Sequence, residues 1–161
     1  MIVLSKEAPC LRLMNIWKHL NQHYCNTRRI TKSYLMDFFS VPDFKMVFVV
    51  NMDLEMGRGK QCAQVAHAAL SLYLQIIYSN DFDEMTRVQQ WITSGQKKIV
   101  LRGENLEQML RLKQEAIDAK LPNHLVTDAG HTQIDPGSKT VLSLFGTNEQ
   151  LDRITGTLRL L

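Results

Sequence analysis

The stretch KMVFVVNMDLEMGRGKQCAQVAHAAL, residues 45–70, passes from a short β-branched run through two glycines into an alanine-rich segment. Residues 46–50, MVFVV, read as a buried strand, and LEMGRG reads as a glycine turn. The segment after it predicts one long helix over 59–78. Each helical residue advances by about 100°, so Lys60, Gln64, His67 and Ser71 fall within roughly 60° of one another and form a polar stripe. Cys62, Val65, Ala66, Ala69, Leu70, Leu72, Tyr73, Ile76 and Ile77 occupy the other faces, so most of the helix is expected to be buried. A narrow polar row on such a helix calls for an explanation, either core hydrogen bonding or chemistry.

Outward from this unit the signals keep alternating. NDFDEMTRVQQWITSG opens with Asn and Asp capping candidates and stops at Gly95, which predicts a second helix. KKIVLRG, residues 97–103, predicts a strand. ENLEQMLRLKQEAIDAK predicts a helix whose inner face is Leu106, Met109, Leu110, Leu112 and Ile117, ended by Pro122. HLVTDA and TVLSLF predict two further strands around the loop GHTQIDPGSK, and NEQLDRITGTLRLL a last helix weakened in its middle by Gly156. Strands alternating with helices of this length argue for an α/β fold with about four strands and helices on both faces of the sheet. The last two strands follow each other without a helix, so the sheet should be mixed.

Residues 45–161 are read as this domain. Residues 1–44 differ in character: they hold six basic side chains against three acidic ones, whereas the rest of the chain is balanced at thirteen against thirteen. A basic, acid-poor leader can be a mitochondrial transit segment; the plainer reading, and the favoured one, is a loosely ordered extension with one short helix near 10–24. The formal charge of +3 is small for 161 residues, so a polyanion bound by the domain must meet a local basic patch. Three cysteines at irregular spacing point to a reducing compartment, with the cytoplasm as default. No apolar run approaches the length of a membrane span. The sequence leaves open whether the chain forms a homodimer.

Two constellations could carry chemistry. The first is the strand, then Gly57-Arg58-Gly59-Lys60, then a helix, which places backbone N–H groups and a lysine where an anion would be held. It lacks the Walker spacing and the third glycine of a dinucleotide fingerprint. By itself it is also compatible with a flexible turn and an exposed lysine. Lys60 and Gln64 lie in the first turns, beside the positive end of the helix dipole. His67 and Ser71 fit hydrogen-bonded core residues better than catalysts, because buried imidazoles and hydroxyls readily find partners. The second constellation is TDAGHTQIDPGSKT, residues 127–140: Asp128 at a strand end, followed by a loop of small and hydroxyl-bearing residues that includes Thr132 and Thr140. Its plain alternative is a β-turn capped by Asp128. Lys97 and Lys98, with Arg58 and Arg102, form either a basic rim or a solvated edge. Cys62 and His67 project about 140° apart and cannot pair. Cys10, His19, His23 and Cys25 match no zinc spacing.

The two long blocks, M-G-x-G-K-x-x-x-Q-x-x-H-A beside the first strand and D-A-G-x-T-Q-I-x-P-G-S-x-T-V-L between the last two, resemble the peptidyl-tRNA hydrolases of the archaeal and eukaryotic type. The resemblance covers residues 45–161. It implies a four-stranded mixed sheet sandwiched between helices, and an enzyme that hydrolyses the ester joining a nascent peptide to the 3′ ribose of tRNA, which recycles tRNA from stalled translation. It places the family's functional positions at Lys60, Gln64, Asp128, Thr132 and Thr140, with His67 inside the motif, and it implies neither a metal nor an organic cofactor. Members commonly carry Gly in place of Glu55, a cysteine–serine pair in place of Val65-Ala66, and a larger base in place of His131. Some animal relatives carry an N-terminal hydrophobic anchor, which residues 1–44 do not contain.

On that resemblance, Lys60, Gln64 and nearby N–H groups are expected to hold the ester carbonyl or terminal phosphate, and Asp128 with Thr132 or Thr140 to place the attacking water. A carboxylate beside a lysine is a poor base, so orienting the water suits Asp128 better than deprotonating it. Gly57, Arg58, Gly59, Lys97 and Lys98 are expected to meet tRNA phosphates without base readout. A competing expectation from another class is a catalytically inactive relative that serves as a protein-interaction module.

Overall fold

The computed structural model describes residues 43–128 and 135–161. The leader, Thr132 and His131 therefore lie outside the described residues. Strand β1, Phe44–Asn51, is buried along its whole length. A 3-10 turn, Met52–Leu54, leads into helix α1, Arg58–Ile77, and then α2, Phe82–Thr93. Strand β2, Lys98–Gly103, helix α3, Leu106–Asp118, strand β3, Asn123–Thr127, strand β4, Lys139–Thr147, and helix α4, Asn148–Thr155, complete the order.

Local chemistry starts these helices where the sequence suggests. Asp81 accepts the N–H groups of Asp83 and Glu84 at the start of α2, and Asn105 accepts that of Gln108 at the start of α3. Thr147 and Gln150 form a reciprocal capping box on α4.

The sheet order is β2-β1-β4-β3, with β1 and β2 parallel and the β1–β4 and β4–β3 pairs antiparallel. The mixed sheet follows from the absence of a crossover helix between the last two strands. Alternate residues of β1 serve opposite faces, as the two-residue period of a strand requires. Phe44, Met46, Phe48 and Val50 join Ala68, Leu72 and Ile76 of α1, Val88 and Trp91 of α2, and Phe145 of β4. Val47 and Val49 join Met109, Leu112 and Ala116 of α3, and Leu151 of α4. Helices thus cover both faces of a shared sheet.

The strand registers fix which ends coincide. Lys98 lies beside Met46 and Gly103 beside Asn51; Val141 lies beside Val50, and Lys139 beside Thr127. One end of the sheet therefore collects the ends of β1, β2 and β3 with the start of β4.

Three sequence expectations are corrected. Helix α1 is not mostly buried: its inner ridge is Gln64, Ala68, Leu72 and Ile76, while Leu70, Leu74 and Tyr78 next to it are exposed. On α3 the inner residues are Met109, Leu112 and Ala116, and Leu106, Leu110 and Ile117 face solvent. The last helix stops at Thr155, and the chain beyond it runs antiparallel along the outer edge of β2, where Arg102 N–H donates to Arg159 O and Leu161 N–H to Val100 O. That tail covers a sheet edge that would otherwise expose unpaired backbone groups.

Candidate active site

At the end of the sheet where β1 and β3 finish, three elements converge. Gly57 begins α1 with extended backbone and no side-chain cap, and the first turn of the helix carries backbone N–H groups without intrahelical acceptors, an arrangement suited to an anion. A Cβ built on Gly59 would meet nothing within 4 Å, so the approach to this turn is open. Glu55, immediately before it, sits in the left-handed region at φ 47° and donates its N–H to Met52 O. That backbone conformation favours glycine.

From the next turn of α1 two side chains reach Asp128. Lys60 Nζ donates to Asp128 Oδ1 at 2.6 Å, and Gln64 Nε2 donates to the same oxygen at 2.8 Å. Thr140, at the start of β4, donates its hydroxyl to Gln64 Oε1 at 2.7 Å. The result is a directed chain from hydroxyl to amide to carboxylate, closed by an ammonium. Gln64, Asp128 and Thr140 are all buried. The Lys60 and Asp128 side chains are only 13% and 8% exposed. In so little water the pair holds its geometry, because leaving either partner alone would be costly. The backbone of Asp128 is tied as well: its N–H donates to Ser138 O and its carbonyl accepts from Gly137 N–H, which joins the end of β3 to the run into β4.

Lys60, Gln64, Asp128 and Thr140 are thus brought together from positions up to 80 residues apart. Gly57, Arg58 and Gly59 line the rim beside them, all exposed. His67 is not among them. It is exposed, neither in the cluster nor packed in the core, because the inner ridge advances in steps of four and a step of three turns the imidazole about 60° outward.

Lys97 and Lys98 are not brought to the cluster either. They stand where β2 begins, beside Met46, and five residues of β1 separate that level from Asn51, roughly 17 Å at strand rise. Lys97 pairs with Asp43, and Lys98 lies over the Trp91 ring at 4.6 Å. Arg102 is at the correct end of the same strand. Ser71 is half-buried on α1 and Cys62 is exposed. Among the described residues no group of three or more His, Cys, Asp or Glu side chains could hold a metal, and no helix is long and apolar enough to cross a membrane.

One residue escaped the sequence reading. Asn51, the last residue of β1, is buried and hydrogen-bonded at both ends of its amide. A polar residue directly after the apolar run MVFVV was its only sequence signal.

Residues 44–161 match the family described as Peptidyl-tRNA hydrolase PTH2. The "Probable peptidyl-tRNA hydrolase 2" of Caenorhabditis elegans is 49% identical over 117 residues, which are 73% of this chain and 36% of that protein. This chain therefore spans about a third of the worm relative. The "Peptidyl-tRNA hydrolase" of Sulfolobus acidocaldarius is 44% identical over 119 residues, 73% of this chain and 99% of that one. A solved structure of a protein of unknown function from Agrobacterium, 12% identical, covers 75% of this chain and 99% of its own at a TM-score of 0.43, a likeness too slight to inform on the site.

Proposed function

The chain belongs to the peptidyl-tRNA hydrolase PTH2 family, and on that premise we propose that it hydrolyses the ester between a peptide and the 3′ ribose of tRNA, with Asp128 at the centre of the reaction. The observation that carries this reading is the convergence of Lys60 and Gln64 on one carboxylate, with Thr140 holding Gln64, beside a helix N-terminus that lacks a side-chain cap.

Hydrogen bonding divides the labour. Gln64 is engaged at both ends of its amide, by Thr140 and by Asp128, so these bonds aim Asp128 rather than touch the ester. The sequence had suggested that Gln64 holds the substrate carbonyl; its engagement with Thr140 and Asp128 favours an aiming role instead. Asp128 accepts a hydrogen bond from the attacking water and fixes its line of approach. Its Oδ1 is already engaged by Lys60 and Gln64, so its proposed role is to orient the water rather than to remove its proton beforehand.

Water adds to the ester carbonyl carbon, and the negative charge developing on the carbonyl oxygen is met by backbone N–H groups in the first turn of α1, while Lys60 stays committed to holding Asp128. Collapse of the tetrahedral species breaks the bond to the ribose oxygen. The proton that the attacking water sheds as its oxygen bonds to the carbonyl carbon passes to that ribose oxygen, and free peptide and tRNA result. Thr132, four residues after Asp128 in the sequence, is proposed as a second group that holds the water.

Phosphates near the tRNA terminus are proposed to lie against Arg58 and Arg102, two exposed cations at this end of the sheet, so binding should weaken steeply with salt. The basic composition of residues 1–44 supports a targeting role for that segment, which an N-terminal mass measurement on protein purified from its cells would test. The activity is tested by incubation with a peptidyl-tRNA carrying a blocked amino group. Release of free tRNA is expected, with no turnover of simple esters; no release would overturn the reading.

A further inference from the structure

We infer that Asn51 is a positioning residue for this site, acting through its side-chain amide on the two segments that deliver Lys60 and Thr140. The inference rests on the hydrolase reading above and adds a residue to it.

Asn51 ends the central strand of the sheet and is 4% exposed. Its Oδ1 accepts the Asp53 N–H at 3.1 Å, which caps the 3-10 turn that starts the path to Lys60. Its Nδ2 donates to Lys139 O at 3.1 Å. That carbonyl belongs to the peptide unit joining Lys139 to Thr140, whose hydroxyl begins the hydrogen-bonded chain through Gln64 to Asp128. One rigid amide therefore fixes the start of β4 relative to the exit of β1.

The side-chain chemistry is specific. The backbone N–H of Asp53 can only donate and the Lys139 carbonyl can only accept, so the bridge requires an acceptor and a donor on one short planar group, which asparagine supplies. An aspartate keeps the acceptor but, when ionised, points a charged oxygen at the Lys139 carbonyl. A leucine fills similar space and makes neither bond. Displacing Thr140 loosens the grip of Gln64 on Asp128, and reaction geometry is sensitive to shifts well under an ångström at such sites.

The experiment compares wild type, Asn51→Asp and Asn51→Leu in steady-state hydrolysis of peptidyl-tRNA from pH 5 to pH 8. At pH 8, both variants are expected to lose kcat by on the order of tenfold with KM within about twofold, because the aim of Asp128 changes and the tRNA surface does not. The ratio of Asn51→Asp to wild type should climb as pH falls, since a protonated carboxyl can again donate to the Lys139 carbonyl. The ratio for Asn51→Leu should stay flat. If Asn51→Asp is unfolded at pH 8, a folded and active protein at pH 5 supports the assignment, and an unfolded one at both values overturns it. Wild-type kcat in Asn51→Asp throughout, or a loss that pH does not relieve, also overturns it. Wild type that releases no tRNA would instead reject the hydrolase reading itself.

Discussion

The two ends of the sheet each hold a lysine–aspartate pair, and the pairs behave as different objects. Lys60 and Asp128 are 13% and 8% exposed and share their contact with Gln64, whereas Lys97 and Asp43 are 43% and 51% exposed. Lys45–Asp152 is intermediate, a 10% exposed lysine reaching a 61% exposed carboxylate. Where both partners are desolvated, one direction in space is selected for the carboxylate. Where both are wet, the pair is screened and contributes little. Density of charge along the sequence does not distinguish these cases, since Lys97-Lys98 is the denser cluster. Enclosure by other elements does.

The strongest way to break this contrast is to remove the charge at the enclosed end. Asp128→Asn should lower turnover by roughly 10²–10³-fold while tRNA affinity stays within about threefold. Near-normal turnover would remove Asp128 from the mechanism.

A sharper probe adds one carbon at the open face. Gly59→Ala meets no protein atom and replaces a helical glycine, so the variant should gain about 0.5–1 kcal/mol of stability in denaturant unfolding. Its kcat/KM should nevertheless fall by about tenfold if substrate approaches this turn closely. Unchanged activity with raised stability would move the substrate away from the helix start.

Next in size are the cations. Arg58→Ala should weaken tRNA binding and reduce its salt slope by about one, whereas Lys97→Ala and Lys98→Ala should change kcat/KM by less than about threefold. A larger effect at Lys97 or Lys98 would show that tRNA reaches the far end of the sheet.

The smallest effect is expected at Asp43. Hydrogen bonds from Lys97 and Asn148 hold its carboxyl below the ordinary value of 3.8. A carboxyl lowered in the folded state adds stability above its unfolded value, and that stability disappears as pH falls through the folded one. Asp43→Asn should therefore flatten the loss of thermal stability slightly below pH ~4 and leave neutral pH nearly unchanged.

Much of the fold was legible because strand and helix periods differ and the caps are strong. Asp81, Asn105 and Thr147 start their helices through their own side chains, a local event. What was misread depended on non-local packing. Helix α3 carries apolar residues on two ridges, and the sheet selects Met109, Leu112 and Ala116 over Leu106, Leu110 and Ile117. Gly156 weakened the predicted last helix, but the pairing of residues 159–161 with β2 cannot be seen from their own composition.

At the site, Lys60 and Gln64 were visible as a polar row, while His67 was grouped with them because an angular window of 60° does not resolve the inner ridge from its neighbour. Lys97 and Lys98 were grouped with Arg58 and Arg102 by neglecting strand direction, which sets them at the far end of β2 from the Asp128 cluster. In a parallel pair, ligand-bearing ends are the strand exits, and these lysines stand at an entrance. Asn51 gave only its polarity, and its importance appears once β4 is placed beside it.

The central claim is that the Lys60 ammonium matters to the reaction chiefly by holding Asp128 in place, so that the two act as one unit. The direct measurement is a double-mutant cycle on kcat with Lys60→Met, Asp128→Asn and the combined variant. The double variant is expected within about threefold of the poorer single, as for groups that fail together. Losses that multiply would show two independent contributions and contradict the account.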